Sequence, residues 1–278
     1  TAIVVLMISA IINRPLTSYF DTQRRADLAE RAQSAINRMT IELEAPLPYS
    51  LRVSTSGRTL EFMPIVGVGR YRDGSAGNEN ELGVRNPDDA FNHLGDMVDS
   101  VSAGRLAINN TSATTLYNQA FANTDVGVIT ASGNDVDISD CFIDSTNDKN
   151  CVDGGSVIEV VDRITLDRQH RFDPSGSGSP SKRFYVVSDP VTYHCDIVAG
   201  TITRYQGYNI SASIIEDTTT LSASTSVGLL ASNVSDCNFS INLGGGSFSA
   251  PLVTLKLTLG TNDENTTLIK EVQQWNAP

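Results

Sequence analysis

The chain is short of basic residues: 20 Lys and Arg stand against 32 Asp and Glu, a formal net charge of −12 over 278 residues. A nucleic-acid partner is therefore not expected, because no basic excess is present to displace counterions from phosphates. Aromatic residues are also scarce, at 6 %, and no cluster of them suits stacking on sugars. Hydrophobic residues make up 40 %, which is enough to bury a core.

The sequence patterns of common catalytic sites are missing or incomplete. No G-x-S-x-G nucleophile motif is present, and the S-x-x-K match at residues 179–182 lies in a loop rich in Pro, Gly and Ser rather than at the start of a helix. Residues 67–72 begin like a dinucleotide fingerprint but lack its third glycine. His194 and Cys195 would point to opposite faces of a strand. We therefore predict a protein that is not an enzyme, with no catalytic and no cofactor-binding residues.

Histidine is rare as well, so a zinc site would need ligands from scattered places. One short stretch does concentrate oxygen ligands: Asp144, Asn147, Asp148, Asn150 and Asp153. Their spacing does not match the calcium loop of EF-hands. A solvated loop is the favoured interpretation, with bound calcium as the alternative, and no metal-binding residue is assigned.

Cysteine is limited to four positions, none of them in a C-x-x-C pair: Cys141, Cys151, Cys195 and Cys237. Two disulfides formed in an oxidising compartment explain this set most simply. Of the three pairings that four cysteines allow, we favour Cys141–Cys151 with Cys195–Cys237. The chain-entropy relation assigns them about 2.7 and about 4 kcal/mol of stability. The sequence therefore predicts an exported protein.

The first twelve residues, TAIVVLMISAII, carry no charge and are mostly apolar. They are too few to cross a bilayer, which needs about 20, and they lack the basic start and the cleavage site of a secretory signal. They are either a buried core segment or the surviving end of a longer apolar helix, and we favour the second interpretation. The residues that we assign to this assembly helix are Ala2, Ile3, Val4, Val5, Leu6, Met7, Ile8, Ile11, Ile12 and Pro15.

Helical periodicity continues to residue 44. Apolar residues recur there at steps of three and four and form one stripe: Leu28, Ala32, Ala35, Ile36, Met39 and Leu43. Pro15 is expected to kink the helix, and Pro46 with Pro48 to end it. The prediction is a helix of roughly 40 residues, about 60 Å long. Residues 1–45 then form a helical region, with residues 1–12 as its membrane or fibre-core part, and residues 46–278 form a globular head.

The head is rich in Ser, Thr, Asn and Gly and contains short runs with the character of strands. Strands are predicted at residues 51–53, 59–63, 126–130, 156–161, 183–187, 192–195, 201–205, 252–259 and 266–275. The clearest is 252–259, where apolar and polar residues alternate. With the turn after it and strand 266–275, it predicts a C-terminal hairpin. Loops are expected at residues 73–83, 174–180 and 244–246.

Several segments of this chain resemble the type IV pilin and pseudopilin superfamily. They are Tyr19-Phe20-Asp21-Thr22-Gln23-Arg24-Arg25, Ala35-Ile36-Asn37-Arg38-Met39, Pro46-Leu47-Pro48, Asp89-Ala90-Phe91 with His93-Leu94-Gly95 (a loop in the family), Arg183-Phe184-Tyr185-Val186-Val187, Pro190-Val191-Thr192-Tyr193-His194-Cys195, and the closing Trp275-Asn276-Ala277-Pro278. The pattern is most similar to the O-type minor pilins of mannose-sensitive haemagglutinin (MSHA) pili, which are related to the J-type pseudopilins of type II secretion.

The resemblance implies an α+β, pilin-like fold in which a long N-terminal helix packs on an antiparallel β-rich head with two disulfides. It also implies a structural minor pilin that assembles or caps a type IV, MSHA-like pilus. Its partners would be other major and minor pilins, and the bacterial inner membrane before assembly, with the head in the periplasm and then in the extracellular pilus. The alternatives are an adhesin of the pilus that grips surfaces through head loops such as 73–95, and a type II secretion pseudopilin.

One departure from the family pattern concerns its start. The Gly-Phe-Thr-Leu-Ile-Glu processing motif, whose glutamate pairs with the N-terminal amine of a neighbouring subunit, is not found in the sequence. If the chain is a trimmed version, at least about 8 apolar residues precede it in the natural protein.

Overall fold

The computed structural model describes residues 2–74, 81–94, 104–130, 136–139, 151–153, 156–158, 163–174, 176, 178–242, 251–261 and 264–274. Residues 2–18, 20, 136–139, 151–153, 156–158, 163 and 261 among them are described by their backbone only.

Three helices and sixteen strands make up the secondary structure of these residues. The helices are α1 (Ala2–Leu43), α2 (Ala113–Ala122) and α3 (Thr218–Leu221). The strands are β1 (Arg52–Val53), β2 (Thr59–Phe62), β3 (Ile65–Tyr71), β4 (Asp88–Leu94), β5 (Arg105–Ala107), β6 (Val136–Ser139), β7 (Cys151–Asp153), β8 (Ser156–Ile158), β9 (Arg163–His170), β10 (Arg183–Val187), β11 (Val191–Asp196), β12 (Thr201–Gln206), β13 (Ser226–Ser232), β14 (Val234–Asn242), β15 (Leu252–Thr261) and β16 (Glu264–Gln273).

The strands form antiparallel sheets. The first sheet has the order β1-β2-β11-β12-β13, the second β5-β10-β3-β4-β9-β6, and the third β14-β15-β16, while β7 and β8 pair separately. The third sheet is a meander, and the second brings together strands from distant parts of the sequence. Because many of these strands pair with partners that are distant in the sequence, local sequence patterns predict only some of the strands of the second sheet.

The predicted fold class, α+β and pilin-like with two disulfides, is wrong. Strands hold more of the described residues than helices do, so the protein is mainly antiparallel β. Only α1 is long, and two of the larger hydrophobic clusters are built without it. The described residues contain one disulfide, Cys195–Cys237. Helix α1 contributes to one hydrophobic cluster, whereas the aromatic cluster of the second sheet is built from strands and loops.

The second half of α1 covers one face of the β15–β16 hairpin. The predicted stripe is confirmed, since all six of its apolar residues, the first being Leu28 and the last Leu43, are buried. The predicted alternation along β15 is confirmed too: Val253, Leu255 and Leu257 are buried in the same cluster as the stripe. The helix runs on through Pro15 and ends at Leu43, three residues before the bridge at Pro46, where the missing N–H of proline cannot continue the ladder.

Helix α2 was not predicted from the sequence. Ser112 caps its start by accepting the N–H of Thr115, and Asn123 ends it with φ +52°, in the left-handed region that asparagine tolerates. Its buried residues Leu116 and Tyr117 pack on the outer part of the second sheet. The helix is too short and too polar for its apolar stripe to be read from spacing alone.

The opposite face of the second sheet holds an aromatic core. Phe184 lies edge-on to Phe91, with 5.5 Å between the ring centroids, and Tyr71 continues the stack. Gly69 of β3 makes room for it, because a Cβ there would lie 2.4 Å from Cζ of Phe184. The glycines of residues 67–72 therefore serve a strand under an aromatic ring and not a phosphate-binding turn.

Two local predictions in this region are wrong. Residues 89–95, which the resemblance implies to be a loop, overlap strand β4, in which the side chain of Asp88 accepts the N–H of Gly83 at 2.8 Å and closes the preceding turn. Residues 126–130, expected to be a strand, contribute only isolated bridges at Val126 and Ile129, because α2 occupies the space beside them through the bond from the Val128 N–H to Gln119.

Candidate functional site

The C-terminal end of α1 is fastened to the first sheet by one carboxylate. Glu42 accepts the Tyr193 hydroxyl at 2.7 Å and the Nε of Arg204 at 2.8 Å, and it also pairs with Arg38 one turn earlier at 3.2 Å. Burial, and then the negative charge of Glu42, raise the pKa of Tyr193, so its hydroxyl remains a donor. Hydrogen bonds of this kind to a charged group fix the rotation of the helix on the sheet.

Among the side chains that the structure describes, the N-terminal end of this docking lies near Arg25. Its Nε lies 3.3 Å from Glu264 at the tip of the C-terminal hairpin, and the surrounding residues 23–27 are all exposed. From Arg24 back to Ala2 the helix continues for about 35 Å. Within the described residues, no helix combines the length and the hydropathy needed for a bilayer span.

The residues assigned to the assembly helix all lie in α1. Ala2, Ile3, Val4, Val5, Leu6, Met7, Ile8, Ile11, Ile12 and Pro15 fall in its first four turns. Their side chains lie outside the described part of the chain, so their role stays a prediction. The sequence does not predict the hydrogen bonds and ion pair of Glu42, because its partners lie on β11 and β12.

The two predicted disulfides have different outcomes. Cys195 of β11 and Cys237 of β14 are bonded, with 6.6 Å between their Cα atoms, which confirms that pair and links the first sheet to the third. Cys141 lies outside the described residues, and Cys151 begins β7, so the Cys141–Cys151 pair stays a prediction. His194 points away from the disulfide, and its Nδ1 lies 2.8 Å from the Thr59 hydroxyl, as strand alternation predicts.

The side chains of the five oxygen ligands proposed for calcium all lie outside the described part of the chain. Asp144, Asn147, Asp148 and Asn150 lie outside the described residues, and Asp153 ends β7. In the part of the chain that the structure describes, no group of three or more His, Cys, Asp or Glu residues could hold a metal ion. The S-x-x-K match lies in a turn, where Lys182 has φ +53° and its ammonium pairs with Asp73.

A buried ion pair lies on the face of the first sheet opposite α1. Glu61 is fully buried and pairs with Arg52, whose guanidinium also donates to the carbonyls of Ser211 and Ala212 and lies 3.6 Å from the centre of the Tyr117 ring. Burial raises the pKa of Glu61, and Arg52 lowers it. This cluster joins β1, β2, α2 and the segment after β12, so it organises the head rather than a surface site.

A groove of about 540 Å³ opens on the outer face of the second sheet. We call it the Arg70–Arg183 groove, and its principal lining residues are Ile65, Val68, Leu94, Tyr185, Arg70 and Arg183. Arg70 and Arg183 lie directly opposite each other on β3 and β10. No ion pair or hydrogen bond of either side chain is found among the described residues. No local sequence pattern indicates this groove, because the pairing register of β3 and β10 creates it.

Acid should weaken the fold through His170. Its ring is 1 % exposed and stacks on Phe172, Nε2 donates to the Gly127 carbonyl at 2.9 Å, and Nδ1 has no partner among the described residues. Burial lowers the pKa of His170, and Asp125 opposes this effect. Since the unfolded histidine titrates near 6.5, the unfolded chain binds more protons below that pH, and the free energy of unfolding falls by up to about 1.4 kcal/mol per pH unit.

The measurement is urea unfolding between pH 7.5 and pH 5.5. The control is His170→Gln, which keeps an N–H donor and removes the titration. The variant should show a flatter pH dependence than the natural chain. Equal slopes for the two proteins would contradict the assignment of this effect to His170. Burial also lowers the pKa of His194, so a residual slope of the same sign is expected in the variant.

Comparison with known proteins assigns no role to any of these residues. No protein-family model, no curated protein and no solved structure matches this chain.

Proposed function

We propose that this chain is a structural, non-catalytic subunit of a type IV pilus-like fibre, a minor pilin that joins the fibre through its N-terminal helix. The observation that carries the proposal is how α1 is attached. Its six buried stripe residues all lie between Leu28 and Leu43, while 23 helical residues precede Arg25. In the proposed subunit these N-terminal residues form a free segment that contacts other subunits, and the far end of the helix is attached to the head.

The physical case rests on the composition of that segment. Residues 2–12 include no charged side chain, so the segment is apolar on every face and needs apolar surroundings. Lipid supplies them before assembly and the helices of neighbouring pilins supply them afterwards. Because lipid tails are as apolar as the side chains, close packing between helices provides the driving force for the exchange.

The docking contacts would let the head withstand force applied through α1. The stripe buries six side chains. Full burial of each of the larger ones stabilises the docked helix by up to about 1.5–3 kcal/mol. The bonds of Glu42 to Tyr193 and Arg204 add directional contacts. Traction on the free end of α1 would therefore be transmitted to the sheets rather than peel the helix away.

The proposal is tested by placing a charge in the free segment. In a strain that lacks the natural gene, the Leu6→Lys variant should fail to enter sheared fibres, since an ammonium within a helix bundle costs about 2.5–3.5 kcal/mol. The matched control is Val198→Lys, because Val198 is 95 % exposed in a turn of the head. It should enter fibres at the level of the natural chain. Immunoblots of the sheared fraction measure both.

Other outcomes separate the alternatives. Normal entry of Leu6→Lys into fibres would contradict the proposal. A deletion strain with normal fibres that no longer attach to surfaces would identify an adhesin instead. A deletion strain with normal fibres and a defect in protein secretion would identify a secretion pseudopilin.

A further inference from the structure

The Arg70–Arg183 groove combines two positive charges with an apolar floor. Arg70 and Arg183 are opposite residues of neighbouring antiparallel strands, and Leu94 of β4 continues the same row. Val68 and Tyr185 form the next row along the strands. Side chains at alternate strand positions share a face, which places Val68 beside Arg70. The register shift between Val186 and Val187 brings Ile65 to the same groove, so the floor extends about 17 Å from the arginines.

The two guanidiniums lack a counterion within the described residues. Eight other arginines there make ion pairs, including Arg52, Arg105 and Arg204. Like charges directly opposite each other across a sheet are destabilising. Arg70 and Arg183 differ from the paired arginines in facing each other across two strands without a carboxylate among the described residues, and an anion would relieve their repulsion.

The apolar part of the groove decides what kind of anion fits. Val68 is 45 % exposed and Leu94 41 % exposed, and they lie beside the arginines. A bare inorganic anion would neutralise the charges and leave these side chains in water. A peptide covers both, since its apolar side chains can lie on Val68 and Leu94 while a carboxylate accepts paired N–H bonds from a guanidinium.

We propose that the Arg70–Arg183 groove binds an acidic peptide segment of a partner protein, one in which Asp or Glu follows within three residues of a large apolar residue. The site is independent of α1, so it can exist whether or not the chain enters a fibre. The two parts of the groove contribute differently to the complex. The arginines attract and orient the peptide in a salt-dependent way, and the apolar floor supplies surface that is removed from water.

The test starts from a displayed library of random octapeptides, selected against the immobilised full-length chain. The expected result is enrichment of peptides with the apolar–acidic pattern. Enriched peptides should bind by fluorescence anisotropy at least tenfold more weakly to Arg70→Gln/Arg183→Gln. The matched control, Arg24→Gln/Arg31→Gln, removes the same net charge from exposed positions of α1 and should bind like the natural chain. Leu94→Ser should weaken binding less than the arginine pair does.

Four results would overturn the proposal. The first is the absence of enrichment, and the second is enrichment without acidic residues. The third is full competition by millimolar inorganic phosphate with no effect of Leu94→Ser, which would indicate an anion site only. The fourth is binding that appears only after Asp96→Asn/Asp99→Asn, because the groove would then be occupied by this chain itself. The proposed role in a fibre is not affected by any of them.

Discussion

The variant Arg52→Ala is expected to lower the free energy of unfolding by about 3–5 kcal/mol, the cost of leaving a buried carboxylate without its cation. Glu61 has no exposed side-chain surface, and its remaining strong donor would be the Tyr208 hydroxyl at 2.5 Å. The alanine also removes the contact with the Tyr117 ring. Urea unfolding at pH 7 measures the loss.

This destabilisation should depend on pH in a defined direction. Burial already raises the pKa of Glu61 above its ordinary value of 4.5, against the effect of Arg52. Without Arg52 the pKa rises further, and the folded variant holds a proton that the unfolded chain has lost. Its stability is therefore greatest below pH 4.5 and falls as the pH rises, so the difference from the natural chain should be larger at pH 8 than at pH 5.

Two control variants separate the buried charge from a general effect of losing an arginine. Arg31→Ala breaks the ion pair between Arg31 and Asp27, whose two side chains are 50 and 56 % exposed, respectively. It should lower the free energy of unfolding by less than about 1 kcal/mol. The double variant Arg52→Met/Glu61→Leu removes both buried charges and should be more stable than Arg52→Ala. If the double variant is the less stable of the two, the ion pair does not account for the loss.

The sequence predicts those features of the fold that repeat within one element. The stripe of α1 recurs every three or four residues, and β15 alternates at a period of two, so both are evident without knowledge of their partners. The C-terminal hairpin needs only a short turn between its strands. The Cys195–Cys237 pair could be selected because four cysteines allow three pairings.

The remaining features depend on contacts between distant residues. Strand β3 contains two glycines, which disfavour strands, and it is stabilised by Phe184 from β10 lying on Gly69. Glu61 has the character of a surface residue in the sequence, and its burial depends on Tyr208, 147 positions away. No local pattern contains such information, and the fold class was mistaken for the same reason: the long helix is the strongest local signal and a minor part of the whole.

The candidate sites divide in the same way. Residues 2–12 are identified by a run that lacks charged residues and is mostly apolar, which is a property of one segment. Arg70 and Arg183 become neighbours only through the pairing of β3 with β10. Glu42 is one of several carboxylates on α1, and it differs from the others because Tyr193 and Arg204 face it from the sheet.

Removing the Cys195–Cys237 disulfide is the second change with a large expected effect. The bond closes a segment of 42 residues, for which the chain-entropy relation gives about 4 kcal/mol. It also links β11 to β14, so its loss frees two sheets that otherwise share the hydrophobic cluster under α1. The Cys195→Ala/Cys237→Ala variant should show this loss in urea unfolding, with a small further cost because both sulfurs are buried.

Two treatments separate the effect of the covalent bond from the effect of losing two buried sulfur atoms. Reduction of a chain that carries Cys141→Ala/Cys151→Ala breaks only the Cys195–Cys237 bond and leaves both of its thiols in place. It should therefore cause most of the loss that Cys195→Ala/Cys237→Ala causes in the same background. Because the bond acts mainly on the unfolded chain, refolding of the reduced protein should slow while its native spectrum is retained. A loss below about 1 kcal/mol on reduction would show that the packing of β11 and β14 under α1 holds the two sheets together without the covalent link.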